Sequence, residues 1–549
     1  MKRMYIIVTI LCLLPRIFDL RSDPPSDLSE SGGYFADEGF WTHNARNEVL
    51  FGRAELDEWN NMYTSPLTHW PTLISFRLFG VGLIQARIFP VLCSLVSVML
   101  LLYGLPGYAS VIAAVLFSIS TICIHFGRLA LLEAPVMLFL LASWILFLRK
   151  NVSMRDLFVS GFLAGCALGI KMSVWYFVPA AALTIAISPP GDTRIKPLIL
   201  FGAGVLSAGG LWLLLLGPNI RYFLQYTAYY SSQQTPWLGN LGDNLRNPVF
   251  FERFRTAPLA ASLMMFITAG ALPAIWSKHS SRAVLLPTIW FTSGLLYLTT
   301  LSYAPLRYYV PLIAPGIILI AMGVTSLFEG PIRFRLTIPG LILLFLFVWP
   351  FVWSSAVKLI PRLAWWSSSR IGLSMIAVCV GIIMVWNLGA YLFRSRLFSL
   401  GFIGTILIIH CAIQVNHFIT WASNRNYDIL STSTELGSQF PGGIFTGQWA
   451  PVLCMENENR AIPVWPGFIN ESEPFQRYGI THGVIWERHW DRFNEWYPEE
   501  FAAAYILDTL TIKDSPVLLC RFLPQEGRSP HRPPEPAFPS YAREKDRKH

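Results

Sequence analysis

The chain of 549 residues is 53% hydrophobic and only 14% charged, with 38 Phe, 20 Trp and 20 Tyr. Soluble domains carry about 25% charged residues, so this composition excludes an ordinary soluble fold and points to a membrane protein. The net charge of +9 does not indicate nucleic acid, because Lys and Arg stand in short clusters between apolar runs, which is a topological pattern.

Lys2 and Arg3 precede the first apolar run, which lacks a small-x-small cleavage site and is followed by Pro15, Arg16 and Asp19. It reads as an uncleaved first transmembrane helix rather than a signal peptide. Apolar segments fall at 4–20, 83–105, 108–126, 131–148, 157–171, 173–188, 195–217, 258–277, 283–301, 308–327, 336–353, 371–392 and 397–420, giving about thirteen spans, several short enough to need tilt. With the N-terminus inside, the inside loops 149–156, 189–196, 277–282, 328–335 and 393–396 all carry Lys or Arg, as the positive-inside rule expects. The loop 354–370, with Lys358, Arg362 and Arg370, disagrees; its Trp365-Trp366 reads as interfacial.

The stretch Gly33–Phe51 carries adjacent carboxylates, Asp37 and Glu38, with Phe40, Trp41, Val49 and Leu50 at roughly helical spacing. That pattern fits a helix lying along a membrane surface. A second interfacial helix is expected at 70–79, with His69 just before it as a metal-ligand or phosphate-donor candidate; a lone His is more often a hydrogen-bonded loop residue. In HFGRLALLEAP (125–135), Arg128 and Glu133 are five apart and so do not share a helix face. Lys171 stands between two apolar helices, at a depth that suits a lipid phosphate or plain snorkelling. The long loop 218–257 is rich in Tyr, Gln, Asn and Trp, which suit either sugar stacking or a membrane interface. Arg307, followed by Tyr308 and Tyr309, opens the tenth span. On this topology Asp37, Glu38, Arg128, Glu133, Lys171 and Arg307 all fall on the outer side. Ionisable groups at helix ends are costly unless paired or hydrated, so their convergence implies a polar cavity there.

From about Trp421 the composition changes to that of a small α/β domain on the outer side, spanning 421–523. A helix is expected at 428–439 and strands at 443–447, 450–455, ITHGVIWE and SPVLLCRFL, with PEEFAAAYIL between the last two. Gly442-Gly443 is not a nucleotide fingerprint. Of eight cysteines, six (Cys12, Cys93, Cys123, Cys166, Cys379, Cys411) are apolar fillers, while Cys454 and Cys520 are candidates for a disulfide. Asn470-Glu471-Ser472 is a glycosylation sequon, and the Pro-rich charged residues 524–549 read as a disordered tail.

Taken in order, the first helix, the outer DE motif, SPLTHWPTLISFRLFGVGLIQARIF, HFGRLALLEAP, the exposed Lys171 and RYYVPLIAP resemble the GT-C membrane glycosyltransferases. The nearest group is the protein O-mannosyltransferase and aminoarabinose-transferase superfamily, over roughly residues 1–420. The resemblance implies a GT-C helical polytopic fold and a sugar donor on a polyprenyl phosphate. It also implies transfer to a hydroxyl of a lipid, glycan or protein on the non-cytoplasmic face, with inversion, and a bacterial cell membrane as the setting. It assigns Asp37 as the base beside Glu38, and Lys171, Arg307 and Arg128 to the donor phosphate. Glu133, His69 and Tyr308 become candidates for sugar hydroxyls or a divalent metal, whose use differs among relatives. Position 133 is Glu where many relatives have Asp. Competing readings are a flippase or transporter of lipid-linked sugars and an oligosaccharyltransferase or ligase; a transporter would be expected to show paired inverted halves, and the two halves here are dissimilar.

Overall fold

The computed structural model describes residues 2–28, 33–55, 64–149, 152–190, 194–232, 282–301, 305–328, 396–465, 470, 472–513 and 515–523. The expected spans at 258–277, 336–353 and 371–392, the loop 354–370, residues 233–257, Cys379, Glu471 and the tail lie outside them. The described residues hold helices at every other expected span. They begin with α1 (Lys2–Ile17), α2 (Gly33–Phe40), α3 (His43–Phe51), α4 (Pro66–Phe79), α5 (Leu83–Gly104), α6 (Gly107–Ile119), α7 (Thr121–Arg128) and α8 (Glu133–Leu148). There follow α9 (Met154–Ile170), α10 (Phe177–Ile187), α11 (Ile195–Leu216), α12 (Ile220–Ser232), α13 (Arg282–Thr299), α14 (Leu306–Phe328) and α15 (Arg396–Ser423).

Among the described residues, four stretches are long and apolar enough to cross a membrane: α5, α11, Leu306–Thr325 and Ile403–Gln439. The expected span 108–126 is instead a broken one, α6 and α7 meeting at Ser120 with a bend of 66°. Ser120 fits the break because its Oγ accepts from Cys123 N–H and so caps α7. The interfacial stretch 33–51 is likewise two helices, separated at Trp41-Thr42, and residues 220–232, expected as loop, form α12.

The helix order follows from where small residues stand. On α9 and α11, a Cβ at Gly161 would lie 2.0 Å from Phe201 O and one at Gly204 would lie 2.1 Å from Phe158 O, so the two backbones touch only because these positions are glycine. The outward face of α11 leaves Leu206 and Leu214 more than three-quarters exposed, a surface suited to acyl chains. Helix α14, by contrast, is enclosed by α6, α8 and α13. At the other end of the bundle, Ser153 and Asp156 form a reciprocal capping box that starts α9.

The C-terminal domain comprises α16 (Asp428–Gln439), β1 (Ile444–Thr446), α17 (Ala450–Leu453), β2 (Arg460–Ala461), α18 (Pro474–Tyr478), β3 (His482–Trp486), α19 (Trp490–Trp496), α20 (Pro498–Ala502), β4 (Ala504–Ile512) and β5 (Ser515–Phe522). Its sheet runs β2-β1-β3-β5-β4, parallel in its first three strands and antiparallel beyond. The expected helix at 428–439 and three of the four expected strands are there. Residues 450–455 are not a strand: Pro451 cannot donate to a ladder but is tolerated in a first helical turn, and α17 forms. Cys454 follows that helix, and both it and Cys520 are buried free thiols, so the disulfide does not form.

This domain is seated on α2 and α3. A Cβ at Gly39 would lie 2.2 Å from Val452 N, so α17 reaches the α2 backbone only over a glycine. Arg46 Nη2 donates to Asn457 O at 2.7 Å and Asn459 O at 2.6 Å, and Asn47 Nδ2 donates to Ala461 O at 3.0 Å. Glu456 caps the start of α5, accepting from Leu83 N–H at 2.6 Å. The domain therefore lies on the same side of the bundle as Asp37 and Glu38.

A second junction joins the segment after α1 to the start of the domain. Tyr427 OH donates to Asp19 Oδ2 at 2.6 Å, Trp421 Nε1 to Asp23 O at 2.8 Å, and Lys513 stands 3.7 Å from Asp23 Oδ2. Burial raises the Asp23 carboxyl from 3.8 to about 6, outweighing the opposing pull of Lys513 and Arg87. Its folded form therefore holds a proton more tightly than the unfolded chain, so stability from this group falls as pH rises from about 4 to 6 and is level above. Asp23→Asn is expected to flatten the melting temperature across that range; an unchanged slope would assign it to other groups.

Candidate active site

The site forms where helix ends meet. Asp37 projects from α2, Glu133 opens α8, Lys171 ends α9, and Arg307 with Tyr308 opens α14. Sequence spacing alone leaves these residues scattered; the fold pairs them. Asp37 Oδ2 forms an ion pair with Arg307, the two side chains 14% and 23% exposed. Lys171 forms a second ion pair with Glu133, and its Nζ lies 4.7 Å from the Tyr308 ring centre, a cation–π contact. Tyr308 follows Arg307 in sequence, so the two pairs are neighbours through α14. Glu133 also benefits from its place in the first turn of α8, where the exposed N–H groups favour negative charge.

Glu38 is differently placed. It is fully buried, with Arg87 Nε donating to Oε1 at 2.8 Å and Arg87 Nη2 to Oε2 at 2.5 Å. Ala130 N–H adds a third donor to Oε1 at 2.8 Å. Arg87 Nη1 in turn donates to Leu20 O at 2.6 Å and Ser22 O at 3.0 Å, so this ion pair ties α2, α5, the α7–α8 link and the segment after α1 to one point. A bidentate pair of this kind fixes geometry as well as charge. Arg87 was not among the expected site residues, although a lone charge in an apolar span implies a partner.

Arg128 and His69 have separate partners. Arg128 Nη2 donates to Asp19 O at 2.6 Å, and its guanidinium lies 4.6 Å from the Trp421 ring centre. His69 Nε2 lies 3.6 Å from Glu48 Oε2, and Glu48 also accepts from Arg77 at 2.8 Å. Glu48 is the acidic partner that the sequence around His69 lacks; it comes from α3, not from α4. Among the described residues no group of three or more His, Cys, Asp and Glu side chains is placed to hold a metal ion. Of the metal candidates, Glu133 is joined to Lys171 and His69 to Glu48, in two separate pairs. Among the described residues these candidates do not form the donor set of a bound divalent ion, and the chemistry below rests on side chains.

Residues 64–216 match the family model described as dolichyl-phosphate-mannose-protein mannosyltransferase. Similar solved structures include ArnT from Cupriavidus metallidurans bound to undecaprenyl phosphate, 12% identical with a TM-score of 0.49, the match covering 94% of this chain and 97% of that one. Another is the apo oligosaccharyltransferase of Archaeoglobus fulgidus, 11% identical with a TM-score of 0.47, covering 90% of this chain and 70% of that one. No curated protein matches the chain. The superfamily that the ordered motifs resemble is thus the one whose family model this chain matches, over residues 64–216.

Proposed function

We propose that this protein is an integral membrane glycosyltransferase that moves one sugar from a polyprenyl-phosphate donor to a hydroxyl acceptor on the non-cytoplasmic face. The observation that carries the reading is the pairing of one partly exposed carboxylate, Asp37 of α2, with Arg307 at the start of α14, beside a second cation, Lys171, which is paired with Glu133 and lies against Tyr308. The family match over 64–216 supports a polyprenyl-phosphate sugar as the donor class.

In this reading Asp37 takes the proton of the acceptor hydroxyl as its oxygen attacks the anomeric carbon. The bond from that carbon to the phosphate oxygen breaks, and the leaving lipid phosphate keeps the electron pair. Arg307 and Lys171 stabilise the charge that grows on it. Attack opposite the phosphate inverts the anomeric centre. Tyr308 and Glu133, which border Lys171, are the residues assigned in this reading to sugar hydroxyls. Glu38 holds α2 in place, and Arg128 supports the segment after α1.

The test is transfer by the purified full-length protein in nanodiscs, from a panel of radiolabelled polyprenyl-phosphate monosaccharides to extracted host lipids and glycans. Transfer from at least one donor is expected. Passage of the lipid-linked sugar across the bilayer without transfer would instead establish a flippase.

A further inference from the structure

The two cations assigned to the donor phosphate are already occupied. Arg307 is paired with Asp37 and Lys171 with Glu133, and all four side chains are partly shielded from water, where charge interactions are stronger than in bulk solvent. An aspartate whose oxygen is held by a guanidinium is a poor base, because the positive charge stabilises its ionised form and weakens its pull on an acceptor proton. A phosphate presents the same oxygen geometry to a guanidinium as a carboxylate does. We propose that the Asp37–Arg307 ion pair is a latch on the base. The donor phosphate takes Arg307 from Asp37, and only then is Asp37 free to accept the proton of a hydroxyl.

The inference rests on the glycosyltransferase reading and adds an order to it: the phosphate enters first and the base is released second. No group is oxidised or reduced in this exchange; one ion pair replaces another. Glu38 cannot substitute for Asp37 in the exchange, since Arg87 and Ala130 N–H already occupy its oxygens. Tyr308 links the two pairs, because its ring lies against Lys171 while its backbone continues that of Arg307. Phosphate bound by Arg307 is thereby brought within the neighbourhood of the second cation.

The experiment is equilibrium binding of a short-chain polyprenyl phosphate to the full-length protein in detergent, read by intrinsic fluorescence, across a double-mutant cycle of Asp37→Asn and Arg307→Ala. Asp37→Asn removes the competitor for Arg307 and is expected to tighten binding by about tenfold, the order of one exposed-to-partly-buried pair. Arg307→Ala weakens binding, and in that background Asp37→Asn brings no gain. A gain of equal size with and without Arg307 would mean simple charge repulsion and overturn the latch, as would an Asp37→Asn variant that binds no tighter. If wild type itself fails to bind any polyprenyl phosphate, the glycosyltransferase reading fails and the latch with it. Asp37→Ser serves in the same cycle should the Asn variant not fold.

Discussion

Asp37→Asn is expected to reduce sugar transfer by about 10²- to 10⁴-fold while leaving the protein folded and able to bind polyprenyl phosphate. The size follows from the role: an amide of the same shape cannot accept the hydroxyl proton, but it keeps the packing of α2. Asp37 is partly exposed and, among the described residues, makes no side-chain hydrogen bond to the C-terminal domain, so its substitution is expected to leave the seat of α2 on α17 in place. Transfer assays at saturating donor separate the turnover loss from any change in affinity. A variant with wild-type turnover would remove Asp37 as the base, and the search would move to Glu133, the other carboxylate at these helix ends.

The largest stability effect is expected at Arg87. Substituting Met would leave the Glu38 carboxylate buried and unpaired, together with the carbonyls of Leu20 and Ser22. Breaking one partner of a buried pair costs about 3–5 kcal/mol, far more than an exposed pair is worth. The combined change Arg87→Met with Glu38→Leu is expected to recover part of that loss. Recovery is incomplete because the two carbonyls still lack their donor. Thermal unfolding in detergent distinguishes these outcomes. A loss under about 1 kcal/mol for Arg87→Met would show that water reaches the pair and that it is not the anchor described here.

The residues that line the site were readable as types and not as pairs. Lys171 and Arg307 each announce themselves as charges at the end of an apolar run, where an unpartnered charge is costly, and Asp37 as half of an acidic pair in an interfacial stretch. Which of them meet depends on how α2, α9 and α14 pack, and nothing in a 3.6-residue period records that. Arg87 stands among apolar neighbours at no periodic position, and its partner Glu38 is 49 residues away. The seat of the C-terminal domain was less legible still: Arg46 and Asn47 bind backbone carbonyls, and a carbonyl has no sequence signature. Local signals were there to be read where they were chemical, as with Ser153-x-x-Asp156, which starts α9 ahead of the expected 157. They failed where a short apolar run was ambiguous, as with the strand expected at 450–455. There Pro451 outweighed the β-branched Val452, and a turn of helix formed.

The contact between Gly39 and Val452 joins two points that the ribosome makes far apart in time. Hydrogen bonds from Arg46 and Asn47 reach 411 to 414 residues along the chain, so these contacts form only after the C-terminal domain has been made. The early helices are made with α2 and α3 unseated, and the C-terminal domain completes the seat when it follows. A chain that stops short of Asn457–Ala461 lacks these partners, and α2 and α3 then carry the buried Arg46 and Asn47 side chains with no carbonyl to meet there.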